Sequence, residues 1–367
     1  MRLSLPKALL ADHLQIVAKA IPTKNTITGL DGILFESNGE NLILTATNHE
    51  LGIQTQFSTV HKEVAKVVLP GKVVEIIRRL PGDSVQISVN PENYLTDITS
   101  GQAEFQVYGL NADDYPVFPT ENLERAQCSF KIVAGDLRRA LRQTLFAVSH
   151  DEGKPAFTGI LFSLNDNTLA LSSSDTFRLA TTSCSVENSG SAFTFLVPGK
   201  TLQEVIRIFS DDAASIVATV MQNQLFLTCE DIRFSSRLLD ENFPNIERVV
   251  PKEFIGQATI DAATFAHAVD RAALLSEGTN HVIRLSIGDD IMVVRASSKH
   301  GKIQEQLPLS LQGEGVEIAL NSRFVLDMLK INEGDQCSIE ITGANKPCIM
   351  RDSLYPNYLY LVLPIKI

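Results

Sequence analysis

The chain contains no tryptophan, and only 7% of its residues are aromatic. A binding surface built on broad aromatic platforms is therefore poorly supplied. Its five cysteines (Cys128, Cys184, Cys229, Cys337 and Cys348) are far apart and form no CxxC pair. That spacing excludes a disulfide framework and a cysteine zinc site, and fits reduced, buried thiols. No apolar run reaches the ~18 residues that a membrane-spanning helix needs. The start, MRLSLPKALLADHLQ, is broken by Pro6, Lys7 and Asp12, unlike the apolar stretch of a signal peptide. A cytoplasmic location is expected.

Catalytic signatures are also missing. The seven histidines (His13, His49, His61, His150, His267, His281 and His300) form no HExxH and no paired Cys/His spacing. There is no GxGxxG after a strand and no GxSxG elbow. Pro198-Gly199-Lys200-Thr201 resembles the end of a phosphate-binding loop, but position 194 is Thr where that motif needs Gly. The same Pro-Gly-Lys recurs at 70–72, which marks a repeated turn instead. Asp113-Asp114 and Asp211-Asp212 sit in turn-like stretches and read as solvated loop charges. No enzyme activity, metal or cofactor is expected.

What the chain does have is repetition. Gly32-Ile33-Leu34-Phe35 followed by Leu42-Ile43-Leu44-Thr45 returns 127 residues later as Gly159-Ile160-Leu161-Phe162 and Leu169-Ala170-Leu171-Ser172. A weaker third copy is Val282-Ile283-Arg284-Leu285 with Ile291-Met292-Val293-Val294. Each copy reads as two strands joined by a polar turn. Leu69-Pro70-Gly71-Lys72, Val197-Pro198-Gly199-Lys200 and Leu320-Asn321-Ser322-Arg323 each lead into a short amphipathic helix. Further helices are expected at 7–20, 136–146 and 261–272. At 367 residues the chain exceeds what one core usually supports. The expectation is three α+β domains, 1–125, 126–253 and 254–367, each with two helices packed on antiparallel sheets.

The formal net charge is −11, yet five of the six helical windows are net positive. The remainder is accordingly more acidic than the whole. Lys72, Arg78, Arg79, Arg138, Arg139, Arg142, Lys200 and Arg207 lie on these helices. Such faces suit phosphate contact without base reading.

Three local motifs then carry a family resemblance. Ser174-Asp175-Thr176-Phe177-Arg178-Leu179-Ala180 resembles a Thr-Asp-(Gly/Ser)-His-Arg-Leu-Ala segment. Asn242-Phe243-Pro244-Asn245 with Arg248-Val249-Val250-Pro251 resembles Phe-Pro-Asp-Tyr…Arg-Val-Leu-Pro. The ending Tyr360-Leu361-Val362-Leu363-Pro364-Ile365-Lys366-Ile367 is similar to an apolar-Pro-apolar-basic-apolar terminus. With three repeats in order, the chain resembles the bacterial DNA polymerase III beta subunits, the sliding clamps. Thr176 and Phe177 depart from the usual small residue and His, and the loop 26–30 lacks the usual Pro.

The resemblance implies a non-catalytic processivity factor, a closed ring of two head-to-tail subunits around duplex DNA. Twelve helices spaced ~8–10 Å apart would leave a bore of roughly 20–28 Å. It implies DNA-facing Lys24 besides the helix cations, and interface residues Phe105, Leu274 and Leu275. It also implies a peptide pocket that holds the replicative polymerase alpha subunit, the clamp loader and other partners. The implied lining is Phe157, Gly159, Ser174, Thr176, Phe177, Arg178, Leu179, Pro244, Arg248, Val249, Asn321, Phe324, Leu361, Leu363, Pro364, Ile365 and Lys366. Arg178 and Lys366 would be donors at its rim. Two rival readings are a monomeric carbohydrate-binding repeat protein, which would use aromatic platforms, and an enzyme with converging titratable groups between domains.

Overall fold

The computed structural model describes residues 2–22, 29–59, 63–119, 125–188, 190–278 and 280–366. Lys24 lies outside them.

One order of elements occurs three times. The first copy is β1 (Arg2–Pro6), α1 (Lys7–Val17), β2 (Gly32–Asn38), β3 (Asn41–Thr47), β4 (Leu51–Ser58), β5 (Val64–Pro70), α2 (Val73–Arg79), β6 (Ser84–Val89), β7 (Leu95–Ser100) and β8 (Ala103–Tyr108). The second is β9 (Cys128–Val133), α3 (Ala134–Leu145), β10 (Gly159–Asn165), β11 (Thr168–Ser174), β12 (Arg178–Ser185), the short β13 (Glu187–Asn188), β14 (Phe193–Pro198), α4 (Gly199–Ile208), β15 (Ser215–Met221), β16 (Gln224–Cys229) and β17 (Ile232–Arg237). The third is β18 (Gly256–Asp261), α5 (Ala262–Ala273), β19 (Val282–Ile287), β20 (Ile291–Ser298), β21 (Gly301–Pro308), β22 (Ser310–Gly313), β23 (Val316–Asn321), α6 (Ser322–Leu329), β24 (Gln336–Ile341), β25 (Cys348–Asp352) and β26 (Leu359–Val362).

Local chemistry sets these elements. The β10–β11 turn is two residues long, and Asp166 within it has φ 49°, the left-handed geometry that tight hairpins favour. Gly71 and Gly199 open the helices after β5 and β14. A Cβ at Gly71 would lie 2.9 Å from the Asp31 carbonyl oxygen, and one at Gly199 would lie 2.9 Å from Val148. The Pro-Gly-Lys repeat is thus a close-approach turn. In the third copy Asn321 does the job differently: it caps α6, its side chain accepting from the Arg323 N–H at 2.9 Å.

The chain divides into two compact units, and these are not the sequence repeats. The first comprises 1–135, 187–191 and 203–238. It holds one nine-stranded sheet, β13-β9-β15-β16-β17-β4-β3-β2-β5, and one four-stranded sheet, β1-β6-β7-β8. The second comprises 136–186, 192–202 and 239–367. Its sheets are β14-β10-β11-β12-β26-β25-β24-β18-β22 and β21-β20-β19-β23. The middle copy therefore gives five of its strands to one nine-stranded sheet and four to the other.

The joins obey one rule. β4 pairs with β17, and β12 pairs with β26. In each case the third strand of a copy's first hairpin set meets the last strand of the following copy. Helices cover the sheets through apolar stripes, such as Leu10, Leu14 and Val17 on α1 and Phe265, Ala268, Val269 and Ala272 on α5, all buried. Full burial of one large aliphatic or aromatic side chain among them contributes about 1.5–3 kcal/mol.

Candidate functional site

The 174–178 turn joins β11 to β12 in the second unit and is held rigidly. Asp175 Oδ1 accepts from the N–H groups of Phe177 (2.9 Å) and Arg178 (3.0 Å). Ser174 Oγ donates to the Arg178 carbonyl at 2.7 Å and accepts from Thr176 N–H at 3.1 Å. Thr176 sits at φ 79°, a left-handed conformation that glycine takes freely and a β-branched residue rarely adopts. The turn presents Phe177 outward, 60% exposed.

Arg178 itself points inward, which corrects its expected role as a rim donor. Its Nε donates to Asp175 Oδ2 at 2.9 Å, Nη1 to Asp327 Oδ2 at 2.6 Å and Nη2 to the Phe146 carbonyl at 2.6 Å. The guanidinium carbon lies 4.3 Å from the centre of the Phe324 ring. Burial alone would lower its pKa, but the surrounding groups, Tyr360, Asp327 and Asp175 foremost, raise it, so it stays charged. Arg178 is a strut that locks the turn onto α6. Replacing it with Met leaves Asp175 and Asp327 without their shared cation. A loss of about 3 kcal/mol is expected, read as a lowered urea midpoint at unchanged m-value.

Beneath the turn, Leu179 pairs with Leu361 across β12 and β26. With Ile349 and Leu359 they form a small apolar floor, against which Ile246 and Val250 pack. Val249 (48% exposed) and Leu363 (37% exposed) stand at the surface. The tail after β26 continues as an extended segment: Leu363 N–H donates to the Phe177 carbonyl at 2.9 Å, and Ile365 N–H to that of Ala319 at 2.8 Å. Pro364, between them, has no N–H to satisfy.

The other expected lining residues are placed as follows. Phe157 packs on Phe243 with ring centres 5.8 Å apart. Gly159 is buried, and a Cβ there would meet Leu239 and the Val197 carbonyl. It permits close packing and presents no side chain. Pro244 and Arg248 are exposed, Arg248 closing a 3₁₀ turn capped by the Asn245 side chain. Ile365 and Lys366 line a cleft over β19, β20 and β21. Ile246, Val250, Ile349, Leu359 and Asp327 belong to this region and are not in the expected lining, although Val250 stands inside the Arg248–Pro251 motif. Of the floor, only the continuous apolar run of β26, Leu359-Tyr360-Leu361-Val362, stands out in the sequence.

The helix cations are less free than their count implies. In the first unit, Arg78 and Arg79 both pair with Glu75 at 3.0 Å, and Arg207 with Glu204 at 2.8 Å. Lys72 is exposed at the start of α2. In the second, Arg139 pairs with Asp136 at 2.6 Å and stacks on Tyr355, and Lys200 lies 3.2 Å from Glu152. Arg138 is half-buried, while Arg142 is exposed. Among the described residues, no group of three or more His, Cys, Asp or Glu could hold a metal ion. No described helix is long and apolar enough to cross a membrane.

Three family models match in chain order: the N-terminal domain of the DNA polymerase III beta subunit over 1–119, its central domain over 131–245 and its C-terminal domain over 247–366. This chain belongs to the DNA polymerase III beta subunit family. It is 34% identical over 361 residues to the beta sliding clamp of Staphylococcus aureus, covering 95% of this chain and 94% of that one. With the beta sliding clamp of Staphylococcus epidermidis the identity is 33% over 382 residues, with 100% and 99% coverage. The crystal structure of the Bacillus subtilis DNA polymerase sliding clamp matches with a TM-score of 0.94 at 28% identity, covering 100% and 99%. The protein is a DNA sliding clamp, a non-catalytic processivity factor of DNA replication built from three clamp domains.

Two of the sheet-edge strands, β8 and β21, have exposed apolar side chains on or beside them. In the first unit, β8 ends its four-stranded sheet and carries Phe105 (41% exposed) and Tyr108 (82%). In the second, β21 ends its sheet, flanked by Leu274 (78% exposed) just after α5. Leu275 packs partly into the core of that unit.

Proposed function

We propose that two copies of this clamp close head to tail into a ring around duplex DNA. Each copy would contribute three domains bounded at 1–125, 126–253 and 254–367. One observation carries the reading. At the two internal joins the same register recurs: Leu51 faces Ser236 in the first, Arg178 faces Val362 in the second. Extending that register to β21 and β8 sets Gly301 opposite Val107, and therefore Ile303 opposite Phe105. The corresponding internal pair is Ile53 with Phe234, both fully buried. The second join has Ala180 with Tyr360, also fully buried. Only at the open edges is the aromatic residue of this position exposed. A third join of the same kind, made by a second copy, would bury it. Heterologous contacts of this sort close into a ring when the rotation permits.

Within such a ring the α-helices would face phosphates without reading sequence, through exposed cations such as Lys72, Arg79, Arg142 and Lys200, with Lys24 a further candidate. The floor at Leu179 and Leu361, rimmed by Phe177, Val249 and Leu363, would receive the apolar anchors of a short peptide from the polymerase alpha subunit, the clamp loader or other partners. The protein would act in the cytoplasm.

The register is tested by engineered cysteines. Directly opposed residues of an antiparallel pair are 4.5–5.5 Å apart at Cα, within disulfide reach. Lys302→Cys with Gln106→Cys should give a covalent dimer on mild oxidation. The displaced pair Lys302→Cys with Glu104→Cys should give little. Equal or absent cross-linking in both would refute this join. The native thiols are all buried and should not interfere.

A further inference from the structure

A cleft of about 790 Å³ lies on the four-stranded sheet of the second unit, away from the apolar floor. Its charge is unlike that of the chain as a whole. Arg284 on β19, Arg295 on β20, Lys302 on β21 and Lys366 on the tail line it, against one carboxylate, Glu317 on β23. The chain carries a net −11, so this cation excess is local.

The arginines are directly opposed in the ladder, Arg284 across from Arg295. Like charges in that position destabilise a sheet unless an acid lies between them. Glu317 reaches them only at 3.6 and 3.8 Å, while its Oε2 accepts from Ser286 Oγ at 2.9 Å. One shared carboxylate leaves most of the positive charge uncompensated, and both arginines remain about 40% exposed, at 46% and 39%.

The position of the tail links this cleft to the pocket. Leu363 is bonded to the Phe177 turn, Ile365 to β23, and Ile365 and Lys366 form one wall of the cleft. A peptide leaving the apolar floor across the tail therefore arrives among these cations. From Leu363 to Lys366 an extended chain spans roughly 10 Å.

We propose that the cleft binds an acidic stretch flanking the apolar anchors of a partner peptide, with carboxylates three to five residues from the last anchor. The proposal rests on the pocket reading above. An acidic flank would add affinity and, more strongly, selectivity among partners that share one anchor motif, and its contribution would fall with salt. The shared tail wall favours a peptide over nucleic acid as the occupant.

Two fluorescent peptides decide the matter, one with apolar anchors alone and one with the same anchors plus an Asp/Glu flank. Each is titrated into the full-length clamp and into Arg284→Gln with Arg295→Gln, surface changes that spare the core. At low salt the flanked peptide should bind the native protein roughly three- to tenfold tighter than the plain one. That gain should vanish in the variant and at high salt, while the plain peptide binds both proteins equally. If the plain peptide binds but the flank adds nothing, this proposal is overturned and the pocket stands. If neither peptide binds, the pocket reading fails and this one with it. If the variant instead weakens binding of a short duplex oligonucleotide and leaves the flank effect intact, the cleft is a nucleic-acid contact and the peptide proposal is overturned.

Discussion

A clamp lacking its last five residues, Leu363 to Ile367, is expected to lose binding of an anchor-bearing peptide by on the order of a hundredfold or more, the cost of removing a central apolar anchor site. The deletion spares β26, so the floor residues Leu179 and Leu361 keep their ladder. It removes the exposed Leu363 and the tail bonds to Phe177 and Ala319. The dimer mass should not change, because neither β8 nor β21 is touched. Fluorescence anisotropy on the native and truncated proteins measures the effect, and equal affinity would remove the tail from the pocket. Phe177→His in the same assay should weaken the most apolar peptides, since it trades apolar surface for a polar ring at the rim.

The second large effect is expected at the open edges. Phe105→Ala with Leu274→Ala should convert the dimer to monomers at micromolar concentration. Both side chains are exposed in the single chain, at 41% and 78%. Their loss should therefore leave the urea midpoint of the monomer nearly unchanged. A ring of two subunits would have two such joins, so the losses would count twice, and a weakening of dimerisation by a thousandfold or more would follow from a few kcal/mol. Leu275 is a poorer choice, because it packs into the core of its own unit and its truncation mixes folding with association. Sedimentation that still finds a dimer would displace the interface from these residues.

Much of the fold is legible in the residues, for a physical reason. Hairpins such as β2–β3 and β10–β11 are local, and their apolar alternation and turn chemistry repeat at a constant shift of 127. Division into two compact units is not legible there. It depends on which strands meet across copies, as β4 with β17, over more than 170 residues of chain. The candidate site divides along the same line. The turn at Asp175 and the cap at Asn245 are made by side chains bonding within three residues, and both lie inside the quoted motifs. The role of Arg178 is not, because Asp327 lies 149 positions away. Charge counting misleads for both reasons. Glu75 with Arg78 and Arg79 is an i,i+3 and i,i+4 arrangement visible in sequence, whereas the Lys200–Glu152 pair bridges 48 positions. The basic cleft was invisible because its cations come from separate strands and the tail, each with one.

The central claim is a closed ring that holds DNA by topology. Solution mass together with retention on DNA tests it most directly, using the native clamp placed on nicked circular DNA by a clamp loader and ATP. The expected mass is twice the 40.2 kDa of the chain. The clamp should co-elute with the circle and be released when the circle is cut to a linear duplex. A monomeric mass, or retention unchanged by linearisation, would contradict the ring.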